Sequence, residues 1–214
     1  MFPEFNLYRS LTTLPGILLG FTFHEYAHAY AATRFGDPTP ENQGRLTLNP
    51  IAHIDIWGLL LIIVAGFGWA KPVQTNPSYY KGNVRGKDMA VSVVGPAANL
   101  MIAVICAAAI VIFSRAGAFG GISRNAAQVL FDILNEAVWI NCALFVFNLV
   151  PIPPLDGYHI LANLLPWSIT RYLYRIERYG SIILMIFVIS NLSGKLLGSG
   201  AGFIYDGIFR ILGV

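Results

Sequence analysis

Long runs of apolar residues, separated by short polar segments, dominate the sequence. A membrane-spanning helix needs about 20 predominantly apolar residues, and the runs 89–113, 129–150 and 179–197 meet that requirement. A fourth run, 11–32, has a similar length but is interrupted by polar side chains. The pattern therefore predicts an all-α polytopic membrane protein with a bundle of about four to six transmembrane helices.

The apolar segment 57–70 is too short to be another ordinary span. As a helix it would reach about 21 Å, whereas the hydrocarbon core of a bilayer is about 30 Å thick. We predict that it enters and returns, or packs within the bundle. Its flanks, GRLTLNP and KPVQTNP, alternate apolar and polar residues and predict a short β-hairpin-like insertion near residues 44–76. Residues 200–214 predict an interfacial helix or a partial span.

Composition and charge exclude several classes of protein. Hydrophobic residues make up 56% of the chain and charged residues 12%, with a mean hydropathy of +0.61, whereas soluble domains are about 25% charged. The net charge of +3 comes without a basic run, so we predict no nucleic-acid partner. Cys106 and Cys142 both lie within apolar runs, which argues against a disulfide framework.

The distribution of lysine and arginine predicts the orientation in the membrane. If residues 57–70 do not span, the loops 33–88 and 151–178 lie on one side and carry six and three basic residues. The opposite side then carries four, namely Arg9, Arg115, Arg124 and Lys195. Cytoplasmic loops carry an excess of basic residues, so the two loops are predicted to face the cytoplasm.

The polar interruption of the first run has the spacing of a metal site. His24 and His28 lie one helical turn apart, so both imidazoles project from one face and can share a metal ion, with Glu25 beside them. A catalytic zinc ion has three protein ligands and an open position, where it lowers the pKa of bound water to about 7. Ionisable residues inside a membrane span are functional by default. We therefore predict a hydrolytic zinc site with Glu25 as the base.

The third ligand is predicted to be Asp156. Pro151, Pro153 and Pro154 end the third span abruptly and bring this acidic residue to its cytoplasmic end. If residues 57–70 do not span, Asp156 and His28 lie on the same side of the membrane. An aspartate here could instead form an ordinary turn or cap the following helix, but the histidine pair favours ligation.

Taken together, these motifs resemble those of the site-2 protease family of intramembrane zinc metalloproteases. HEYAH in the first span, GPAAN at 95–99 and N-x-x-P-x-P-P-L-D-G at 148–157 follow one another in the order of that family, and the resemblance covers most of residues 14–160. GRLTLNPIAHID resembles the short bacterial branch, which lacks PDZ and CBS domains. Tyr158 is a departure, since many relatives have a second glycine there.

The resemblance implies a three-helix core and a Zn²⁺ ion bound by His24, His28 and Asp156, with Glu25 as the catalytic base. It also implies that Asn99 is catalytic, helping to hold the substrate or to stabilise the oxyanion through its amide donor. The alternative for Asn99 is a hydrogen bond that joins helices, beside small residues that let them approach.

Two further histidines remain to be assigned. His53 could approach the zinc as an additional ligand or meet the substrate, although a histidine in such a loop more often forms a local hydrogen bond. His159 is a weaker candidate for the same roles.

The resulting prediction is one integral membrane peptidase domain, residues 1–214, with a catalytic core at about 11–160 and C-terminal helices at 161–214. It would hydrolyse a peptide bond within or near a transmembrane helix of a membrane protein substrate. Its partners would be that helix and the lipid bilayer. The resemblance to the bacterial branch implies a multi-pass protein of the bacterial cytoplasmic (inner) membrane, and the charge distribution predicts an active site that opens to the cytoplasm.

The alternative is a non-proteolytic membrane protein that handles or transports metal with the same ligands. Glu25 separates the two, because a transporter gains nothing specific from an acid beside the paired histidines, whereas a protease needs its base.

Overall fold

Helices account for most of the computed structural model, which describes residues 6–65 and 68–214. In these residues the α-helices, numbered in chain order, are α1 (Leu7–Arg34), α2 (Thr39–Asn42), α3 (Ile56–Ala65), α4 (Val84–Arg115), α5 (Arg124–Asn148), α6 (Asp156–Leu164), α7 (Trp167–Glu177), α8 (Gly180–Ile189) and α9 (Asn191–Ile211). Short 3-10 turns lie at Pro50–Ala52, Pro77–Tyr79 and Ala118–Gly121.

The three longest helices each begin at a polar cap. The side chains of Asn6, Asn83 and Ser123 accept a backbone N–H from the first turn of α1, α4 and α5. Such a cap satisfies a donor that would otherwise have no partner within the helix, which fixes where the helix starts. α5 ends at Asn148, shortly before Pro151, which agrees with the predicted stop at the prolines.

Two helices of the described residues, α4 and α5, are long and apolar enough to cross a membrane, and α8 with α9 gives a third if that bent pair is one span. They confirm the predicted spans 89–113 and 129–150 and identify a membrane protein. α1 has 28 residues, about 42 Å at the rise of an α-helix, and contains the predicted span 11–32. The polar residues of the HEYAH motif make it less apolar than α4 and α5. The number of four to six spans stays a prediction.

The bundle is held together by close packing of small side chains. α1, α4 and α5 pack against one another, and α9 packs against α5. Ala103, Ala107 and Ala201 are fully buried in the shared core of α4, α5 and α9, together with Val138 and Cys142. Small residues let helix backbones approach closely, which is the usual way that helices associate in lipid.

Residues 179–197, predicted as a span, do not form one continuous helix. The chain breaks at Ser190, whose backbone is extended (φ −71°, ψ 147°), and α8 meets α9 at an angle of 79°. The hydroxyl of Ser190 donates to the carbonyl of Phe187 and that of Ser193 to Val188, so side chains replace the helical partners of these carbonyls. Residues 200–214, predicted as a separate piece, mostly belong to α9.

The direction of α9 corrects one assignment in the charge count. Gly200 lies against Val146 near the end of α5, and the Arg115 guanidinium donates to the carbonyl of Leu212 at the other end of the bundle. α9 therefore runs antiparallel to α5. Lys195 lies beyond Gly200, at the basic end of the bundle, and not on the opposite side as predicted.

The described residues of 44–76 do not form the predicted β-hairpin-like insertion. The described part of this segment contains one isolated antiparallel bridge, between Ile54 and Ala70, beside a hydrogen bond of 2.9 Å from Lys71 N–H to the carbonyl of His53. The guanidinium of Arg45 donates to the carbonyl of Ala52 and, at 3.5 Å, to that of Lys71. In a β-hairpin these carbonyls would accept from backbone N–H groups of the opposite strand. Because Ile54 and Ala70 pair with each other, the two ends of the segment between them lie side by side at the same end of the bundle, as predicted for a segment that does not span the membrane.

Candidate metal centre

Three predicted ligands meet where α1, α4 and α6 converge. The Nε2 atoms of His24 and His28 lie 3.0 Å apart. The carboxylate of Asp156 lies 3.3 Å from His24 Nε2 through Oδ2 and 3.4 Å from His28 Nε2 through Oδ1. Both histidines are buried, and these are the three residues of the described chain whose ligand atoms group closely enough to hold a metal ion.

Hydrogen bonds on the far side of each imidazole fix which ring nitrogen is free. His28 Nδ1 lies 2.7 Å from the carbonyl of Val91, which can only accept, so Nδ1 carries the proton. His24 Nδ1 lies 2.8 Å from Oδ1 of Asn99. In a neutral imidazole a protonated Nδ1 leaves a lone pair on Nε2. Both histidines therefore present Nε2 as a ligand atom, the arrangement usual for metal-bound histidines.

The three donors fit a zinc ion. Nε2 of each imidazole and the carboxylate converge on one point, and Oδ2 of Asp156 is buried without a hydrogen-bond partner among the described residues. Ligand atoms at about 2.0–2.1 Å around a tetrahedral Zn²⁺ are about 3.3 Å apart, close to the separations that His24, His28 and Asp156 show. A single cation would satisfy all three ligand atoms at once, and two imidazoles with one carboxylate match catalytic zinc sites.

A close backbone approach brings Asp156 to the histidines. α6 begins at Asp156, directly after the proline-rich corner that follows α5. A Cβ on Gly157 would collide with the carbonyl of Leu149, so only glycine lets the start of α6 lie against the end of α5. Burial alone would raise the pKa of Asp156, but positive charge on the neighbouring His28 and His24 would hold that pKa well below its usual range. The carboxylate therefore lies where positive charge stabilises its ionised form, whether protons on the imidazoles or a bound cation supply that charge.

Glu25 lies beside the ligands and receives a backbone donor from a distant loop. It is buried, and its Oε2 accepts a hydrogen bond of 2.7 Å from the N–H of Val73. The sequence pattern of residues 71–76 predicted a strand there but gave no sign of this contact, which joins residues 48 positions apart. The bond restricts the rotation of the carboxylate while leaving its second oxygen available.

The metal ligands open into a cavity of about 360 Å³. His24, Glu25, His28 and Asp156 line it together with the segment that contains Pro72, Val73 and Thr75. Its other lining residues include Asp88, Asn148, His159 and Tyr174. The candidate base, the three candidate ligands and the segment 72–75 therefore share one space large enough for a short peptide segment.

Asn99 does not face this cavity. It is fully buried, and its Nδ2 donates to the carbonyl of Gly20 and to Oδ1 of Asn141, both at 3.1 Å, while its Oδ1 faces His24. An amide has two N–H donors, and both of these are used. The geometry therefore favours the reading in which Asn99 joins helices and orients His24, and it offers no donor for an oxyanion.

His53 lies apart from the metal ligands. It is fully buried, and its Nε2 donates to the carbonyl of Thr47 over 2.8 Å. It is not in the group of described residues that could hold a metal, and its contacts fit the local structural role that we gave as the alternative. His159, by contrast, lines the cavity.

Comparisons with known proteins agree with this chemistry. The model of peptidase family M50 matches residues 115–191. "Putative zinc metalloprotease YwhC" of Bacillus subtilis is 39% identical over 199 residues, which cover 89% of this chain and 88% of that protein. "Putative zinc metalloprotease Rip2" of Mycolicibacterium smegmatis is 32% identical over 196 residues, covering 84% and 67%.

An archaeal protein is similar over much of its length as well. "Putative zinc metalloprotease MJ0611" of Methanocaldococcus jannaschii is 26% identical over 171 residues, covering 78% of each chain. No solved structure matches this chain.

Proposed function

Because this chain belongs to peptidase family M50, the site-2 protease family of zinc metalloproteases, we propose that it hydrolyses a peptide bond within or near a transmembrane helix of a membrane protein. The observation that carries the proposal is the meeting of His24, His28 and Asp156 with Glu25 in one cavity. The cavity lies beside two helices apolar enough to cross a membrane. A substrate helix would reach it from the bilayer.

Each site residue has a role in this reaction. His24, His28 and Asp156 hold the zinc ion, which when bound supplies a Lewis acid that activates water and polarises the scissile carbonyl. Glu25 takes the proton from the attacking water and later gives it to the leaving amine. The N–H of Val73 holds the Glu25 carboxylate in place for both transfers.

We propose further that residues 1–214 form one peptidase domain in the bacterial cytoplasmic membrane, with the cavity open to the cytoplasm. α1, α4 and α5 would then be the spans of the catalytic core. The support for the orientation is the basic end of the bundle: the loops 33–88 and 151–178 and also Lys195 lie at the end that holds the metal ligands. Loops rich in lysine and arginine stay in the cytoplasm.

Removal of the metal tests the proposed reaction. The purified chain in proteoliposomes, mixed with membrane proteins from its own cells, is expected to generate new cleaved N-termini, detected by mass spectrometry. Chelation with 1,10-phenanthroline should abolish them and added Zn²⁺ should restore them, since the zinc ion supplies the activated water. Zinc uptake into the vesicles with no cleavage would instead support the transport alternative.

We also propose how the substrate is held once its helix unwinds. An unwound segment in a dry site needs new partners for its backbone N–H and C=O groups. Pro72, Val73 and Thr75 line the cavity, and their backbone would pair with the substrate as an added strand. Val73 N–H faces Glu25, and backbone groups two residues apart on a strand face the same side, so in the paired strand Thr75 would present its N–H to the cavity.

Thr75→Pro tests this pairing. Proline removes the N–H at this position but is compatible with an extended backbone, so we expect turnover to fall about tenfold or more with bound zinc unchanged. Thr75→Ala, which keeps the N–H, is the matched control and should stay close to wild type. Initial rates and zinc content of both variants provide the measurement. Wild-type turnover in Thr75→Pro would refute the strand pairing.

A further inference from the structure

A second buried amide lies behind Asn99. Asn141 of α5 is fully buried, and its Nδ2 donates to the carbonyls of Gly16 at 3.1 Å and Ala137 at 2.9 Å. Its Oδ1 accepts from Nδ2 of Asn99 at 3.1 Å. Asn141 does not line the cavity, yet it is two hydrogen bonds away from the metal ligand His24.

The partners of Asn141 permit only one orientation of its amide. The carbonyls of Gly16 and Ala137 can only accept hydrogen bonds, so the NH₂ group must face them and Oδ1 must face Asn99. If the amide were rotated by 180°, Oδ1 of Asn141 would face these two carbonyl oxygens, and acceptors would meet with no donor between them. Two backbone carbonyls of α1 and α5 therefore fix the direction of the Asn141 oxygen.

The orientation of the Asn141 amide also fixes the orientation of Asn99 and, through it, the tautomer of His24. Oδ1 of Asn141, together with the carbonyl of Gly20, requires the NH₂ group of Asn99 on its side. The Asn99 oxygen must then face His24 Nδ1, which lies 2.8 Å away. An acceptor at this place keeps the proton on Nδ1, so the lone pair of His24 stays on Nε2, where the metal binds.

The glycines of α1 make this chain of hydrogen bonds possible. A Cβ on Gly20 would lie 2.6 Å from Oδ1 of Asn141 and 3.2 Å from Nδ2 of Asn99. A Cβ on Gly16 would lie 2.6 Å from Cα of Ala137. Gly16 and Gly20, a G-x-x-x-G pair on α1, therefore do more than let the helices pack closely. Their backbone carbonyls, which no side chain covers, accept the hydrogen bonds of the two amides.

We propose that Asn141 is a positioning residue of the metal centre, which acts through Asn99 to hold His24 in its metal-binding tautomer. Replacing Asn141 leaves Asn99 with the Gly20 carbonyl as its remaining acceptor. The amide of Asn99 is then less firmly oriented, and His24 exchanges between tautomers of which only one binds metal at Nε2. The inference rests on the zinc centre proposed above, and it assigns a function to a residue outside the metal-binding motifs.

The direct test is the zinc affinity of Asn141→Leu, which removes the amide and nearly keeps its volume. Changes behind metal-bound histidines typically weaken metal binding by 10–100-fold, so we expect a loss of about tenfold. Competition with a chromophoric chelator measures the affinity, and the visible spectrum of the Co²⁺-loaded protein reports the ligand geometry. Cys142→Ala is the matched control, since Cys142 is equally buried on the next position of α5 and has no bond to the network.

A double-mutant cycle with Asn99→Ala separates positioning from general stability. If Asn141 acts through Asn99, adding Asn141→Leu to Asn99→Ala should cause no further loss of zinc affinity. Additive losses, or equal losses in Asn141→Leu and Cys142→Ala, would overturn the proposal. If leucine prevents folding, Asn141→Ser serves in the same cycle, because its hydroxyl is too short to reach Asn99. A wild-type chain without zinc would refute the centre itself, a result distinct from all of these.

Discussion

Glu25→Gln is expected to lower the turnover number by about 10²–10⁴-fold, the range for removal of a general base, with the zinc content unchanged. Glutamine has nearly the same shape, and its amide oxygen can still accept the hydrogen bond from Val73 that Oε2 accepts now. It cannot take a proton from water. The substitution therefore removes the proton transfer while leaving the ligands His24, His28 and Asp156 in place.

The matched control for this variant is Glu136→Gln. Glu136 lies on α5 near the start of α1, where it is 3.3 Å from the guanidinium of Arg9, at the opposite end of α1 from Glu25. Its replacement should leave cleavage close to wild type. Cleavage rates in proteoliposomes and zinc content by mass spectrometry decide the result. A Glu25→Gln variant that cleaves at the wild-type rate would exclude Glu25 as the base.

Gly95→Ala is expected to weaken zinc binding strongly, although it adds a single methyl group on α4. A Cβ at this position would collide with His28 Nε2 and would lie 2.8 Å from His24 Cε1. Both imidazoles would have to move, and Nε2 of His28 is a ligand atom. We expect zinc affinity to fall on the order of 100-fold, at the upper end of the range for changes next to metal ligands, and activity to fall with it.

Gly202→Ala on α9 provides the comparison for Gly95→Ala. A Cβ on Gly202 meets nothing within 4 Å, so alanine there should leave zinc binding and activity unchanged, and both variants raise helix propensity in the same way. Titration with a zinc chelator and the thermal unfolding midpoint of each variant are the measurements. Normal zinc affinity in Gly95→Ala would show that the histidines do not lie against α4 as described.

The sequence by itself identified the candidate metal ligands and the long helices, because these depend on local rules. Two histidines four positions apart share a helix face whatever surrounds them, and an apolar run of sufficient length predicts a membrane span without further context. The prolines before Asp156 marked the end of α5 in the same way. The family resemblance rested on the same short motifs, and the similarity to zinc metalloproteases agrees with it.

The tertiary structure decided everything that depends on which distant groups meet. Whether Asn99 faces the substrate or a histidine is set by Gly20 and Asn141, which lie 79 and 42 positions away in the sequence. The hydrogen bond from Val73 N–H to Glu25 and those from Arg45 to two loop carbonyls likewise join groups that are separated in the sequence. The alternation of apolar and polar residues predicted a hairpin at 44–76. Only the tertiary structure showed that the side chain of Arg45 donates to backbone carbonyls that the hairpin would have paired. The periodicity of a helix depends on residues that are neighbours in the sequence. The direction of an amide or a carboxylate depends on hydrogen-bond partners that only folding brings close.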